Sequence, residues 1–154
     1  MKKYNEMGSS LIEILIATAL VSVVLVSIAT GLSYSVKSTS EAKYRGLATQ
    51  KVQEIFAVFD RSRVLNGWSG FTSEFVSCIS GCDYCVDLNP SFATTPFSSG
   101  SSCSAIEMAK INFIPEAIVT VDSATPQSVT VVVTVTWNTG KEHSVSSTKK
   151  FQNW

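Results

Sequence analysis

Four cysteines are the residues of this chain whose spacing best suits chemistry. They form the pattern C-x3-C-x2-C-x17-C in a loop-like part of the 154-residue chain. Four thiolates can hold zinc in a tetrahedral site, although the paired C-x2-C knuckles typical of such sites are missing. One C-x-x-C inside the pattern formally matches a redox motif, but no βαβ pattern surrounds it. The cysteines are Cys78, Cys82, Cys85 and Cys103.

An even number of cysteines located beyond an apolar N-terminal segment also suits an oxidising compartment, in which disulfides persist. We therefore prefer two structural disulfides as the interpretation of this pattern. Each disulfide is expected to stabilise the folded chain by about 2–4 kcal/mol, chiefly by restricting the unfolded chain. The sequence does not choose among the three pairings that four cysteines allow. A zinc site and a redox site remain the alternatives.

Other side chains give no sign of catalysis. His143 is the one histidine, beside Glu142 at the start of a predicted hairpin strand, where we expect a solvated turn residue. Trp68, Trp137 and Trp154 can stack on a ligand, but we expect them to pack in the core or on the surface. Because no Ser-His-Asp order, phosphate-binding glycine loop or metal-ligand cluster occurs, we predict that the chain is not an enzyme and binds no cofactor.

The charge of the chain is balanced, with 12 basic and 12 acidic residues and a net charge of zero. Because no excess of positive charge attracts a phosphate backbone, we expect no nucleic-acid partner. Charged residues make up 16% of the chain, and abundant Ser, Thr and Val resemble the composition of secreted β-rich proteins. We expect Lys149 and Lys150 to protect the edge of a sheet.

The N-terminal segment predicts a membrane span. Residues 14–36 contain no charged side chain, and their first two-thirds is apolar enough to cross a hydrocarbon core about 30 Å thick. Lys2 and Lys3 precede the span, so the positive-inside tendency places the N-terminus in the cytoplasm and the rest of the chain outside. A secretory signal cut near 17–19 falls too early, since apolar sequence continues past it. An ordinary signal anchor does not explain Glu13, which begins the apolar run.

The run from Gly8 to Ala17, GSSLIEILIA, resembles the processing motif of type IV prepilins and type II secretion pseudopilins. In that motif a basic leader ends in Gly, and a Leu-Ile-Glu triplet follows two residues later, ahead of the apolar run. The resemblance implies that residues 1–8 form a leader, which a membrane-embedded prepilin peptidase removes after Gly8 at the cytoplasmic face. It also implies that this enzyme methylates the new amine of Ser9, a position at which the family commonly has Phe or Met.

The resemblance gives Glu13 a role in assembly, in which its carboxylate pairs with the N-terminal amine of a neighbouring subunit. In a low-dielectric helix bundle the two charges are each costly alone and much less costly together, so the pair enforces axial register. The implied partners are other pilin subunits, the peptidase, an inner-membrane assembly platform and, before assembly, the membrane. The implied location is the bacterial inner membrane, with a single pass and the head outside the cytoplasm, and then a pilus or periplasmic pseudopilus.

The apolar periodicity predicts a single N-terminal helix over residues 9–65. Its first half, about 9–36, suits lipid or a filament core, and its second half has apolar residues every three or four positions. The Gly- and Asn-containing segment 66–70 predicts a break. Residues 66–154 would then form an extracytoplasmic β-rich head, with a cysteine-containing loop over 71–108.

Strand signals dominate the end of the chain, where Val and Thr alternate. We expect the valines and Trp137 of the central strand to lie on the second half of the helix. A turn at 138–141 predicts an antiparallel hairpin. The predicted strands are 117–122, 128–138 and 142–151. The fold class is therefore α+β, a long helix packed on a small antiparallel sheet, as in pilins.

The position of the cysteines, in the middle of the head, favours a minor pilin or pseudopilin over a major pilin with a C-terminal disulfide loop. The Val-Thr strand and the Ser/Thr-rich strand after it also resemble the C-terminal end of V-type minor pilins. Two alternatives stay open at this point. One is a signal-anchored extracytoplasmic redox or metal-binding protein, and the other is a DNA-capturing subunit of a competence pilus. The sequence does not choose among pilus, type II secretion and competence machines.

Overall fold

The computed structural model of the protein describes residues 6–86, 97–100, 103–122 and 128–153, with side chains from Leu11 onward. The chain is α+β, with one long N-terminal helix and a small antiparallel sheet, which confirms the predicted fold class. The elements are α1 (Glu6–Ser73), β1 (Cys82–Val86), β2 (Phe97–Ser99), β3 (Ile106–Met108), β4 (Ile111–Asp122), β5 (Ser128–Asn138) and β6 (Glu142–Gln152). Two compact units divide the chain, the first ending at Lys43 and the second beginning at Tyr44.

The first unit is helical from Glu6, and its side chains from Leu11 to Thr39 are exposed. Its Ser and Thr hydroxyls donate hydrogen bonds to backbone carbonyls three or four residues earlier, as Thr18 does to Leu15 and Ser33 to Ala29. These polar groups therefore need no water, which suits a helix that lies in lipid, where every polar group must be satisfied internally.

The predicted break over residues 66–70 is confirmed at Gly67, but a second helical stretch that was not predicted follows it. Helix α1 continues to Ser73 and is interrupted at Gly67, whose φ of 66° and ψ of 177° are non-helical. Glycine tolerates this conformation because it has no Cβ. The helix resumes because the next turn carries Phe71, which is fully buried in the core, and Thr72, whose hydroxyl donates to the Trp68 carbonyl at 2.9 Å.

The sheet has the strand order β2-β1-β4-β5-β6, with β3 also paired to β4. Strand β5 has the predicted bounds and face, since Val129, Val131, Val133, Val135 and Trp137 are all buried. Strand β6 returns antiparallel to it through a turn in which the Gly140 amide donates to Asn138 Oδ1 at 2.8 Å. The hairpin prediction is therefore confirmed.

Strand β4 is longer than predicted, because it begins at Ile111 and contains Pro115. Proline has no N–H to donate to a neighbouring strand. It is therefore tolerated in a sheet only where its nitrogen faces no paired strand. On the edge of β4 away from β5, β3 pairs with residues 111–113 and β1 pairs with residues 117–119. Pro115 lies between these two stretches, where no strand of the described residues pairs with that edge. This gap accommodates the proline.

The predicted loop over 71–108 contains three short strands, so that prediction is wrong in part. Residues 87–96 and 101–102 of the predicted loop lie outside the described residues. Strands β3 and β4 are joined by Ala109 and Lys110, whose φ values of 51° and 65° are positive. Two-residue hairpins favour positive φ, but usually with Asn or Gly. The sequence therefore gave no turn signal at this position.

The core of the second unit lies between the helix and one face of the sheet, as predicted. Burial of each large apolar side chain stabilises by about 1.5–3 kcal/mol, so this cluster is the main source of stability of the head. The helix contributes residues at three- and four-residue spacing, namely Ala48, Val52, Ile55 and Phe59. The Phe59 ring lies 4.5 Å from Phe97 and 6.3 Å from Phe151, measured between ring centroids.

Two polar contacts join the helix to β6. Lys149 Nζ lies 2.6 Å from Asp60 Oδ2, and Arg63 Nη2 donates to the Gln152 carbonyl at 2.9 Å. Lys149, which was predicted to protect the sheet edge, thus also has its ammonium group engaged with the helix. Lys150 is exposed on the opposite face of the strand.

Candidate functional site

The predicted cleavage site lies at the start of α1. Gly8 and Ser9 both have helical backbone in the first turn that the structure describes. Residues 1–5 of the predicted leader lie outside the described residues. Glycine lowers the helix propensity at this position by about 1 kcal/mol relative to alanine.

Glu13 lies four residues after Ser9 and is exposed. Residues four apart share one face of a helix, so the carboxylate and the predicted new N-terminus lie on the same side of α1. The neighbours Ile12 and Ile14 are also exposed, by 60% each. Among the described residues, Glu13 forms no ion pair. A single carboxylate thus stands in an exposed apolar surface.

The helical stretch that begins at Leu11 is long and apolar enough to cross a membrane, and none of its most apolar part is buried by the rest of the structure. The exposed aliphatic side chains follow one another without a charged residue from Ile14 to Val36. An exposed apolar surface of this extent needs lipid or other helices around it.

The four cysteines of the head form two disulfides, Cys78–Cys82 and Cys85–Cys103. The disulfide prediction is therefore confirmed, and the pairing that the sequence left open is resolved. Cys82 and Cys85 of the C-x-x-C belong to different bridges, so the redox alternative loses its dithiol. The zinc alternative loses its ligands, because no cysteine of the chain is free.

The bridges hold the segment between the helix and the sheet. Cys78 is fully buried, its amide donates to the Phe75 carbonyl at 2.9 Å, and its carbonyl accepts from the Val121 amide at 3.0 Å. The second bridge closes a longer loop from the end of β1 to Cys103. The first bridge therefore ties the segment after α1 to β1, and the second ties β1 to Cys103.

We expect the double substitution Cys85→Ala/Cys103→Ala to lower the free energy of unfolding by about 3 kcal/mol, since it releases a loop with a sequence separation of 18. Guanidinium unfolding of the full chain in detergent micelles, without reductant, measures the change. As a control for the zinc alternative, a chelator should leave the stability of the unmodified chain unchanged. Equal stability with and without the bridge, or sensitivity to the chelator, would contradict this account.

A buried carboxylate, for which the sequence carries no signal, lies beside the first bridge. Glu74 Oε2 is buried and has no hydrogen-bond partner among the described residues. The Tyr84 hydroxyl lies 3.5 Å from the Glu74 carbonyl oxygen and 3.4 Å from Cys78 Sγ. Burial raises the pKa of Glu74 above its ordinary value of 4.5. Burial, and then the nearby charge of Glu74, raises the pKa of Tyr84.

This burial predicts a pH dependence of the stability. Because the pKa of Glu74 is raised in the folded chain, ionisation favours the unfolded chain. The contribution of the neutral Glu74 carboxyl group to the stability of the fold is therefore complete below the ordinary pKa of 4.5. It is lost as the pH rises through the raised pKa. We expect Glu74→Gln to raise the melting temperature at about pH 7 and to leave it unchanged below about pH 4. Thermal melts followed by circular dichroism, with the exposed Glu107→Gln as control, measure the effect. A lower melting temperature at neutral pH would contradict it.

The aromatic candidates belong to the core or its margin. Trp137 is buried, and its ring stacks on His143 with 5.5 Å between centroids. The expectation that His143 is a solvated turn residue is therefore wrong, because it is half-buried against the indole. Arg63 lies over the half-buried Trp68 ring at 5.5 Å. Trp154 lies outside the described residues.

Within the ranges that the structure describes, no group of three or more His, Cys, Asp or Glu side chains is arranged to hold a metal ion. Comparisons of the chain with protein-family models, with curated proteins and with solved structures return no match. The features that remain as a candidate functional site are thus the exposed apolar helix, its carboxylate at Glu13 and the bond between Gly8 and Ser9.

Proposed function

We propose that this chain is a structural subunit, a minor pilin or pseudopilin, of a type IV pilus-like filament. A prepilin peptidase removes the leader after Gly8, and the mature subunit assembles through its N-terminal helix. The observation that carries the proposal is the carboxylate of Glu13 in an exposed apolar helix, without an ion-pair partner among the described residues. The two disulfides of the head suit an extracytoplasmic location, because disulfides persist in oxidising compartments.

The energetics of Glu13 support assembly over simple anchoring. A lone carboxylate in the bilayer centre costs about 2.5–3.5 kcal/mol on insertion scales, and less near the end of a span. A simple anchor gains nothing from this cost. In a filament core, the amine that cleavage creates at Ser9 of one subunit meets the carboxylate of its neighbour, and the pair fixes the axial position of each new helix.

The subunit therefore assembles when its apolar helix exchanges contact with lipid for contact with other helices. Before assembly, lipid covers the helix from Leu11 to Val36, and the inner-membrane platform extracts it into a bundle of like helices. The hydrogen bonds of the hydroxyl groups within the helix, such as that of Ser27 to the Val23 carbonyl at 2.8 Å, keep these polar groups satisfied in both environments. The head remains outside the cytoplasm throughout. In this proposal the same peptidase also methylates the new N-terminal amine of Ser9.

Shearing filaments from cells tests the proposal. We expect an immunoblot to find the chain in the sheared filament fraction of wild-type cells and in the membrane fraction of a strain that lacks the prepilin peptidase. The total amount of the chain in the two strains is the control for expression. A chain that stays with the membrane in both strains would contradict the proposal and favour a signal-anchored protein.

A further inference from the structure

Strand β6 presents a long free edge. It pairs with β5 over its whole length from Glu142 to Gln152, in one continuous antiparallel register without a bulge. It is also the last strand of the sheet, and no strand of the described residues pairs with its outer side. The backbone N–H and C=O groups on that side are therefore available to a further strand.

Natural edge strands are usually protected by inward charges, prolines, bulges or short length. Strand β6 has none of these between residues 143 and 148, a stretch without Asp, Glu, Lys, Arg or Pro. Its exposed charges stand on either side of that stretch, Glu142 at one end and Lys150 at the other. Among the described residues neither charge forms an ion pair.

We propose that the outer edge of β6 binds the same edge of a second copy of this chain, antiparallel and about a two-fold axis through Ser146. In this register, residues whose numbers add to 292 lie opposite each other. Glu142 of each copy then lies opposite Lys150 of the other, so two ion pairs form at the ends of the contact. The middle brings Ser144 opposite Thr148, a pair of hydroxyl side chains that suits cross-strand contact.

The charges select this register over its neighbours. A two-fold axis through Val145 or Ser147 keeps the hydrogen-bonding pattern but separates Glu142 from Lys150, so both ion pairs are lost. The contact is isologous, since the same edge serves both copies, and it therefore closes at two. Charge complementarity within one strand thus makes a second copy the occupant that fits this edge.

The symmetry also distinguishes this contact from assembly through the N-terminal helix. A two-fold axis perpendicular to the sheet reverses every direction within it, so the helices that back the two sheets run in opposite directions. The contact therefore relates the heads of two copies in opposite orientations. It requires neither cleavage at Gly8 nor Glu13, so its failure would leave the proposed function untouched.

Cysteine cross-linking tests the register. In the proposed contact, Ser146 is the residue that lies opposite itself, with Cα atoms about 4.5–5.5 Å apart, within the range of a disulfide. At Ser144 the corresponding distance between copies is about 14 Å. We expect the Ser146→Cys chain in detergent micelles to form a disulfide-linked dimer on mild oxidation, and the Ser144→Cys chain to remain mainly monomeric on non-reducing gels. Equal cross-linking of the two variants would overturn the proposal.

Charge reversal tests the ion pairs independently. We expect Glu142→Lys and Lys150→Glu each to weaken dimerisation of the full chain about tenfold, or about 1.4 kcal/mol, by placing like charges opposite each other at both ends. The double variant Glu142→Lys/Lys150→Glu restores the pairs with exchanged signs, and its dimerisation should return to the wild-type value. Sedimentation in density-matched detergent measures all four chains. Equal dimerisation of all four, or a double variant as weak as the single ones, would overturn the proposal.

Discussion

We expect Glu13→Gln to reduce the amount of the chain in filaments by about 100-fold. Removing one partner of a buried ion pair costs about 3–5 kcal/mol, because the other charge is left buried without compensation. Glutamine keeps the size of the side chain, and Glu13 is exposed in the isolated subunit, so the fold of the head should not change. Immunoblots of the sheared filament fraction, normalised to the membrane fraction, measure the effect.

A matched control for this substitution is Glu41→Gln, which removes a carboxylate of the same helix beyond the apolar stretch. We expect it to leave incorporation within about twofold of the wild type, since charge pairs near water contribute about 0–1 kcal/mol. Cleavage after Gly8 should proceed in both variants. Wild-type incorporation of the Glu13→Gln chain would contradict the proposed role of the carboxylate.

The second large effect concerns the head. We expect Phe59→Ala to lower the free energy of unfolding by about 3–5 kcal/mol, because the ring is fully buried and its removal leaves a cavity. The ring contacts Phe97, Phe75 and Phe151, at centroid distances of 4.5, 6.1 and 6.3 Å, so the cavity would adjoin the helix and both ends of the sheet. Denaturant unfolding in detergent micelles, followed by near-ultraviolet circular dichroism, measures it.

Val64→Ala serves as the control for Phe59→Ala, since Val64 lies on the same helix and is 81% exposed. We expect it to change the free energy of unfolding by less than about 0.5 kcal/mol. A Phe59→Ala chain as stable as the Val64→Ala chain would contradict the packing of the helix on the sheet.

The sequence predicted the parts of the fold in which local pattern and tertiary environment agree. The alternation of Val and Thr in β5 matches a strand with one buried face, and its bounds were predicted without error. The apolar N-terminal helix was predicted for the same reason, because its side chains need an apolar environment along their whole length. In β5 the two-residue period indicates the structure, and in the N-terminal helix the length of the apolar run does so.

The misses occurred where a tertiary contact overrides the local signal. The strand predicted over 117–122 begins earlier, at Ile111, and Pro115 lies in it opposite the gap between β1 and β3. Gly67 breaks the helix as predicted, but the helical stretch after it, which buries Phe71, was not predicted. The positive φ of Ala109 and Lys110 depends on the pairing of β3 with β4, which no turn motif announces.

The candidate site divides in the same way. Gly8, Ser9 and Glu13 come from a linear motif, so the sequence alone suffices to propose them. The disulfide pairing and the burial of Glu74 depend on the approach of segments that are distant in sequence, and the sequence therefore left the first open and gave no signal for the second.

The measurement that tests the central claim most directly is the intact mass and N-terminal sequence of the protein from its native membrane, with and without the prepilin peptidase. We predict a chain that begins at Ser9 when the peptidase is present and at Met1 when it is absent. Thiol alkylation in the same experiment should modify none of the four cysteines, because both disulfides are formed. A chain that retains residues 1–8 in both strains would contradict the proposal that this protein is a filament subunit.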